Sequence, residues 1–233
     1  MNARTMKSGR PRILLAEDDT VSRAFLAEAM GGIAEVTAVD GAGGALEAAR
    51  QGPGFALWLL DAHLPDGDGV ALLRALRKHA PATPALAHTA DPDPAVAGVL
   101  RAAGFRDVLL KPIAIPALRE AIRGALGQPP PRSVAEAAAP PWQPRLQRMF
   151  IAELPGQRDA LCAAIGRGEC ETAQSLLHRL RGACATVGAI ELDAAVRALQ
   201  ASPGSASAWL AFDRAVAAAL RVEDAAEVGQ QVP

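Results

Sequence analysis

Tyrosine is absent from this 233-residue chain, and aromatic residues make up only 3% of it. Lysine is scarce as well: of 24 basic residues all but Lys7, Lys78 and Lys111 are arginine. No apolar run approaches the roughly 20 residues of a membrane helix, so membrane insertion is not expected. The basic N-terminus, Met1 to Arg10, lacks the apolar stretch of a secretion signal. Three cysteines, Cys162, Cys170 and Cys184, make an odd set without metal-ligand spacing, which suits reduced thiols and a cytoplasmic address. The net charge of −1 gives no general pull toward nucleic acid or anionic membrane. No internal repeat and no glycine-rich nucleotide loop occur, which argues against a kinase within these residues.

From Arg12 to about Gly127, short apolar runs alternate with amphipathic stretches. Strands are expected at 12–16, 35–39, 55–60, 84–88 and 107–110, and helices at 20–30, 42–51, 69–79, 94–103 and 114–126. This rhythm predicts an α/β domain over 12–127, a doubly wound five-stranded parallel sheet covered on both faces. The run 55–60 is apolar throughout, as a strand buried on both sides should be. Residues 128–141, QPPPRSVAEAAAPP, read as a Pro/Ala-rich linker; fully polyproline-like, it would span at most about 43 Å. Beyond Trp142 no strand signal remains. Amphipathic stretches at 143–153, 157–167, 170–187, 190–201 and 206–222 are separated by Pro155-Gly156, Gly168, Gly188 and Ser202-Pro203-Gly204. They predict a second, all-α helical-bundle domain over 142–222, with 223–233 fraying. Residues 142–233 lack the basic stripe of a DNA reader, so no nucleic-acid partner is expected.

Four of the expected strands stop abruptly in polar groups: Glu17-Asp18-Asp19, Asp61, His88-Thr89 and Lys111-Pro112. In an open parallel sheet, sites form outside the carboxyl ends of the strands. A carboxylate at the tip of a buried strand is costly unless a metal, a partner or chemistry compensates it. Asp61 can act as a nucleophile toward phosphorus. Glu17 and Asp18 beside it supply oxygen ligands for a hard divalent cation of the Mg²⁺ type. Lys111 and Thr89 would hold the equatorial oxygens of a phosphoryl group. Taken alone, Glu17-Asp18-Asp19 could instead be a helix N-terminus, with Asp19 as its cap.

Glu17-Asp18, Asp61 with Leu64-Pro65 and Gly69, Thr89-Ala90 and Lys111-Pro112 together resemble the receiver domain of two-component response regulators. The resemblance implies that Asp61 is the phosphoacceptor. It implies that Asp18 binds Mg²⁺ directly, Glu17 through water and His63 by its backbone carbonyl. Thr89 and Lys111 would contact the phosphoryl group, and Arg23 stands where the family often has arginine. The rings of His63 and His88 are expected to be bystanders. One departure is plain: the aromatic that receivers often carry three places before the lysine is here Val108, and Phe105 comes too early to replace it.

At about 100° per residue, Ala173, Leu176, Leu177, Leu180, Cys184 and Val187 share one stripe of the helix expected at 170–187. His178 lies about 160° from Leu180, among Gln174, Arg181, Gly182 and Ala185, and should be exposed. Arg181 offers a fixed charge one turn away, and Gly182 removes a side chain beside the imidazole. The segment His178-Arg179-Leu180-Arg181-Gly182, with Gly188 ten residues after the histidine, resembles the histidine phosphotransfer (HPt) domain. That resemblance implies phosphate on His178, with Gln174, Arg181 and Gly182 around it; Arg181 replaces the lysine commonly found there.

The two resemblances imply a phosphorelay intermediate, not an enzyme acting on an external substrate. A sensor histidine kinase would stand upstream, and another receiver would give or take the phosphoryl group. The competing expectation is an adaptor, in which receiver phosphorylation controls how the helical domain meets a partner and His178 carries nothing.

Overall fold

The computed structural model describes residues 6–7, 9–51, 53–128 and 142–229, with backbone alone for 6–7 and 222–229. The chain forms two compact units, Met1–Ala138 and Ala139–Pro233. The expected linker, after Gln128, lies outside the described residues, as do 230–233 of the expected tail.

In the first unit five parallel strands alternate with five helices: β1 (Arg10–Ala16), α1 (Thr20–Gly31), β2 (Glu35–Val39), α2 (Ala42–Gln51), β3 (Leu57–Asp61), α3 (Gly69–Arg77), β4 (Ala85–Thr89), α4 (Pro94–Ala103), β5 (Asp107–Leu110) and α5 (Ile115–Ala125). Their spatial order is β2-β1-β3-β4-β5, the doubly wound arrangement. Met6–Lys7 adds a short antiparallel pairing to the start of β1. A small hairpin, His63–Leu64 against Gly67–Asp68, follows β3. Side chains alternate across the sheet with period two. Leu14, Ala16, Trp58, Leu60, Ala85 and Ala87 face a core shared with Ala45, Leu72, Leu76 and Leu100. Ile13, Leu15, Leu57, Leu59 and Leu86 face the other, with Leu26, Met30, Leu118 and Ile122. Both faces are covered, so these strands read as continuous apolar runs. Asp19 caps α1 as expected, accepting from the Ser22 N–H at 2.7 Å.

The second unit contains four helices among the described residues: α6 (Gln143–Gly166), α7 (Cys170–Val187), α8 (Ile190–Ala201) and α9 (Ala206–Gly229). Each packs on the next, and α6 also packs on α9. Leu154, Leu161, Leu177, Leu180, Leu199 and Phe212 are among the buried residues at the centre. The break expected at Pro155-Gly156 does not occur; 143–153 and 157–167 belong to one helix. Proline removes one backbone donor, yet Phe150, Leu154 and Leu161 all fall on the buried stripe. Tertiary packing therefore carries the helix through the weak point. α7 ends at Gly188, whose φ of 76° favours glycine. α9 continues to Gly229, past the end expected at 222. Among the described residues no helix is long and apolar enough to cross a membrane.

Candidate functional site

Parallel register brings the four polar strand ends to one edge of the first unit. Ala16 pairs with Leu60, Asp61 with His88, and Thr89 with Leu110. Hydrogen bonds continue just past the strands and fix the residues that follow. Glu17 N–H donates to the Val39 carbonyl at 3.1 Å, Ala62 N–H to His88 at 3.0 Å, and Lys111 N–H to Thr89 at 2.7 Å. Strand β3 ends on Asp61 itself and β4 on Thr89, each one residue beyond the expected end, because both are paired in the ladder.

Lys111 Nζ donates to Glu17 Oε1 at 2.8 Å and to Asp61 Oδ2 at 2.6 Å. Glu17, Asp61 and Lys111 are only 0%, 2% and 8% exposed. Carboxylate oxygens of Glu17, Asp18 and Asp61 lie within 4.8 Å of one another. Three acids converge on one ammonium, an oxygen-rich donor set that fits a divalent cation. Burial pushes Glu17 well above the usual carboxylate range, against the pull of Lys111. Burial acts the same way on Asp61, but Lys111 and the His63 N–H outweigh it and hold Asp61 below its ordinary value. Burial alone would lower Lys111; Glu17 and Asp61 more than reverse this and keep it a cation.

The flanking groups hold this cluster in place. His63 N–H donates to Asp61 Oδ1 at 3.0 Å, while the His63 ring is exposed. Arg23 Nη1 donates to the backbone carbonyls of Glu17 and Asp18 at 2.7 and 3.0 Å, so it fixes the loop. Thr89 Oγ1 accepts from the Asp91 N–H at 3.1 Å, which leaves its O–H proton for another acceptor. Phe105 is core, 3% exposed, and Val108 is half-buried. The His88 ring is buried, and its Nδ1 lies 3.3 Å from Glu17 Oε2. The sequence also gave no sign of Asp66, whose carboxylate accepts from the Ala42 and Gly43 N–H groups at the start of α2, both at 2.7 Å.

In the second unit His178 is half-buried instead of exposed, Gln174 is exposed and Gly182 is buried. Helix α7 packs against both α6 and α8, so more than a single stripe is covered. Arg181 is drawn to α8: its Nη1 donates to Gln200 Oε1 at 3.1 Å, and Nε lies 3.9 Å from Asp193 Oδ1. The Gly182 carbonyl accepts from Thr186 Oγ1 at 2.9 Å.

Comparison with known proteins agrees with the two units. The family model of the response regulator receiver domain matches residues 13–123, and that of the Hpt domain matches 145–228. The Sensor histidine kinase AruS of Pseudomonas aeruginosa is 30% identical over 210 residues, covering 81% of this chain and 20% of that protein. The chain thus spans about a fifth of the length of the curated relative it matches. Among solved structures, a CheY-like response regulator receiver domain protein from Methanospirillum hungatei JF-1 is 28% identical. It covers 51% of this chain and 94% of its own, with a TM-score of 0.47. The chemotaxis response regulator CheY4 of Vibrio cholerae is 22% identical, covering 50% and 99%, also at 0.47. The chain belongs to the receiver and Hpt families: it is a response regulator receiver domain fused to an Hpt domain, an architecture typical of two-component phosphorelay proteins.

Proposed function

We propose that Asp61 is the phosphoacceptor of the receiver and that His178 carries the phosphoryl group in the Hpt domain, so that this chain is a relay intermediate. The supporting observation is the cluster in which buried Glu17 and Asp61 and half-buried Asp18 converge and Lys111 bridges two of them. Domains of these families act as phosphotransfer carriers, and receiver domains generally use Mg²⁺. Glu17, Asp18, Asp61 and the His63 carbonyl would hold the ion, which when bound neutralises charge between phosphoryl oxygens and carboxylates.

The chain's own residues do the remainder. An oxygen of Asp61 attacks the phosphorus of a donor phosphohistidine. The P–N bond breaks as the P–O bond forms, and the donor imidazole keeps the electron pair and ends neutral on taking up a proton. Lys111, 2.6 Å from Asp61 Oδ2, pairs with a phosphoryl oxygen as charge spreads over the equatorial positions. The Thr89 hydroxyl donates to another. In the Hpt domain an imidazole nitrogen of His178 attacks an aspartyl phosphate, the P–O bond breaks, and carboxylate leaves. Arg181, steadied by Gln200, supplies positive charge one turn from the histidine. Such domains interact with histidine kinases and other receivers; a sensor histidine kinase as donor and a second receiver as exchange partner fit this chemistry.

Lability of the label tests the assignment. After reaction with a labelled phosphodonor and Mg²⁺, base-labile acyl phosphate should vanish in Asp61→Asn. Acid-labile phosphoramidate should vanish in His178→Gln. Acid-labile label that survives in His178→Gln removes the histidine from the relay.

A further inference from the structure

The buried histidine beside the metal-type acids has no role in this mechanism. His88 pairs directly with Asp61 across β3 and β4, and its carbonyl accepts from Ala62. Its ring is closed off from solvent at 4% exposure. Nδ1 faces Glu17 Oε2 at 3.3 Å, whereas Nε2 is buried without a hydrogen-bond partner among the described residues. A leucine would fill such a place without leaving a polar atom unsatisfied, and an unsatisfied buried nitrogen is costly. The contact with Glu17 is thus the ring's one polar reward. Glu17 itself is fully buried, and its other side-chain partner, Lys111, is shared with Asp61. When Lys111 turns to a phosphoryl oxygen, Glu17 loses that restraint and His88 remains.

We infer that His88 is a positioning residue: its Nδ1–H fixes the Glu17 carboxylate in the orientation that receives the divalent cation. The inference rests on the phosphoacceptor reading of Asp61. Hydrogen bonds to a ligand's far side commonly change metal affinity about 10- to 100-fold.

Calorimetric titration of magnesium chloride into the full chain tests it. His88→Leu should weaken Mg²⁺ binding about 10-fold, while His88→Asn, whose amide N–H replaces Nδ1–H, should stay within about threefold of the parent. With Glu17→Ala already present, which removes the acceptor, His88→Leu should change nothing further. In the metal-free parent, long-range ¹H–¹⁵N spectra should show His88 as the Nδ1–H tautomer. A His88→Leu protein that melts normally and binds Mg²⁺ as tightly as the parent overturns the inference. So does an effect that persists with Glu17→Ala, or an Nε2–H tautomer, which is readable even if no variant folds. Failure of the parent itself to bind Mg²⁺ is a separate result: it removes the phosphoacceptor reading, and the role of His88 with it.

Discussion

Lys111 separates two carboxylates that burial would otherwise force together. Replacing it with methionine leaves Glu17 and Asp61 facing each other without their ammonium. In chelator, Lys111→Met should lower stability by about 3 kcal/mol, the usual loss when one partner of a buried pair is removed, and added Mg²⁺ should raise its melting temperature more than it raises the parent's. The loss also depends on pH. Glu17 already has a folded-state pKa above its ordinary 4.5, and without Lys111 it rises further. A carboxyl that holds its proton more tightly when folded favours the fold at low pH, and that advantage fades as pH climbs. The gap between Lys111→Met and parent should therefore widen from pH 5 to pH 8 in thermal melts. Gly69 is constrained differently: a Cβ there would lie 2.4 Å from the Asp61 carbonyl and 3.1 Å from Ala62 Cα. Both are backbone atoms that cannot swing away. Gly69→Ala should cost about 1–3 kcal/mol and slow phosphorylation of Asp61, read by melting and label uptake.

Between elements, the loop after β3 is tied to a helix it does not precede. Asp66 accepts two N–H groups at the start of α2, and those bonds, from Gly43 first and then Ala42, hold its carboxyl below the ordinary 3.8. A lowered folded-state pKa means stability that is present above pH 3.8 and lost as pH falls further. Asp66→Ala should cost about 1 kcal/mol near neutrality, the typical worth of such a cap. The difference from the parent should shrink in melts below pH 3.8. Helix α6 offers the opposite case. Pro155 and Gly156 are exposed in mid-helix, and a Cβ at Gly156 would meet nothing within 4 Å. Replacing both with alanine should stabilise the bundle by at least about 1 kcal/mol, seen in denaturant melts.

At the scale of the whole molecule, a receiver domain and an Hpt domain share one chain. His178→Gln should still accept phosphate on Asp61 from a small-molecule donor but pass none to a second receiver; label reaching that receiver would defeat the relay. How much of this was legible from residues alone follows from distance along the chain. Apolar runs ending in Glu17, Asp61, Thr89 and Lys111 announced the site edge, because a strand buried on both faces shows as an uninterrupted apolar stretch and its end as a sudden polar residue. Helices α2, α4, α7 and α8 were legible for a similar reason, a 3.6-residue rhythm bounded by glycine or proline. Local order along the sequence thus determined most of the elements, the two folds and the gathering of Glu17, Asp61 and Lys111 at one edge. Only the tertiary structure decided what depends on contacts through space: Asp66 on a helix 24 residues upstream, His88 against Glu17 across 71 residues, and α6 unbroken at its proline. It also decided the half-burial of His178, since α7 lies between two neighbours. Periodicity reports which side of a segment is apolar; it carries no information about which distant group comes to rest against it.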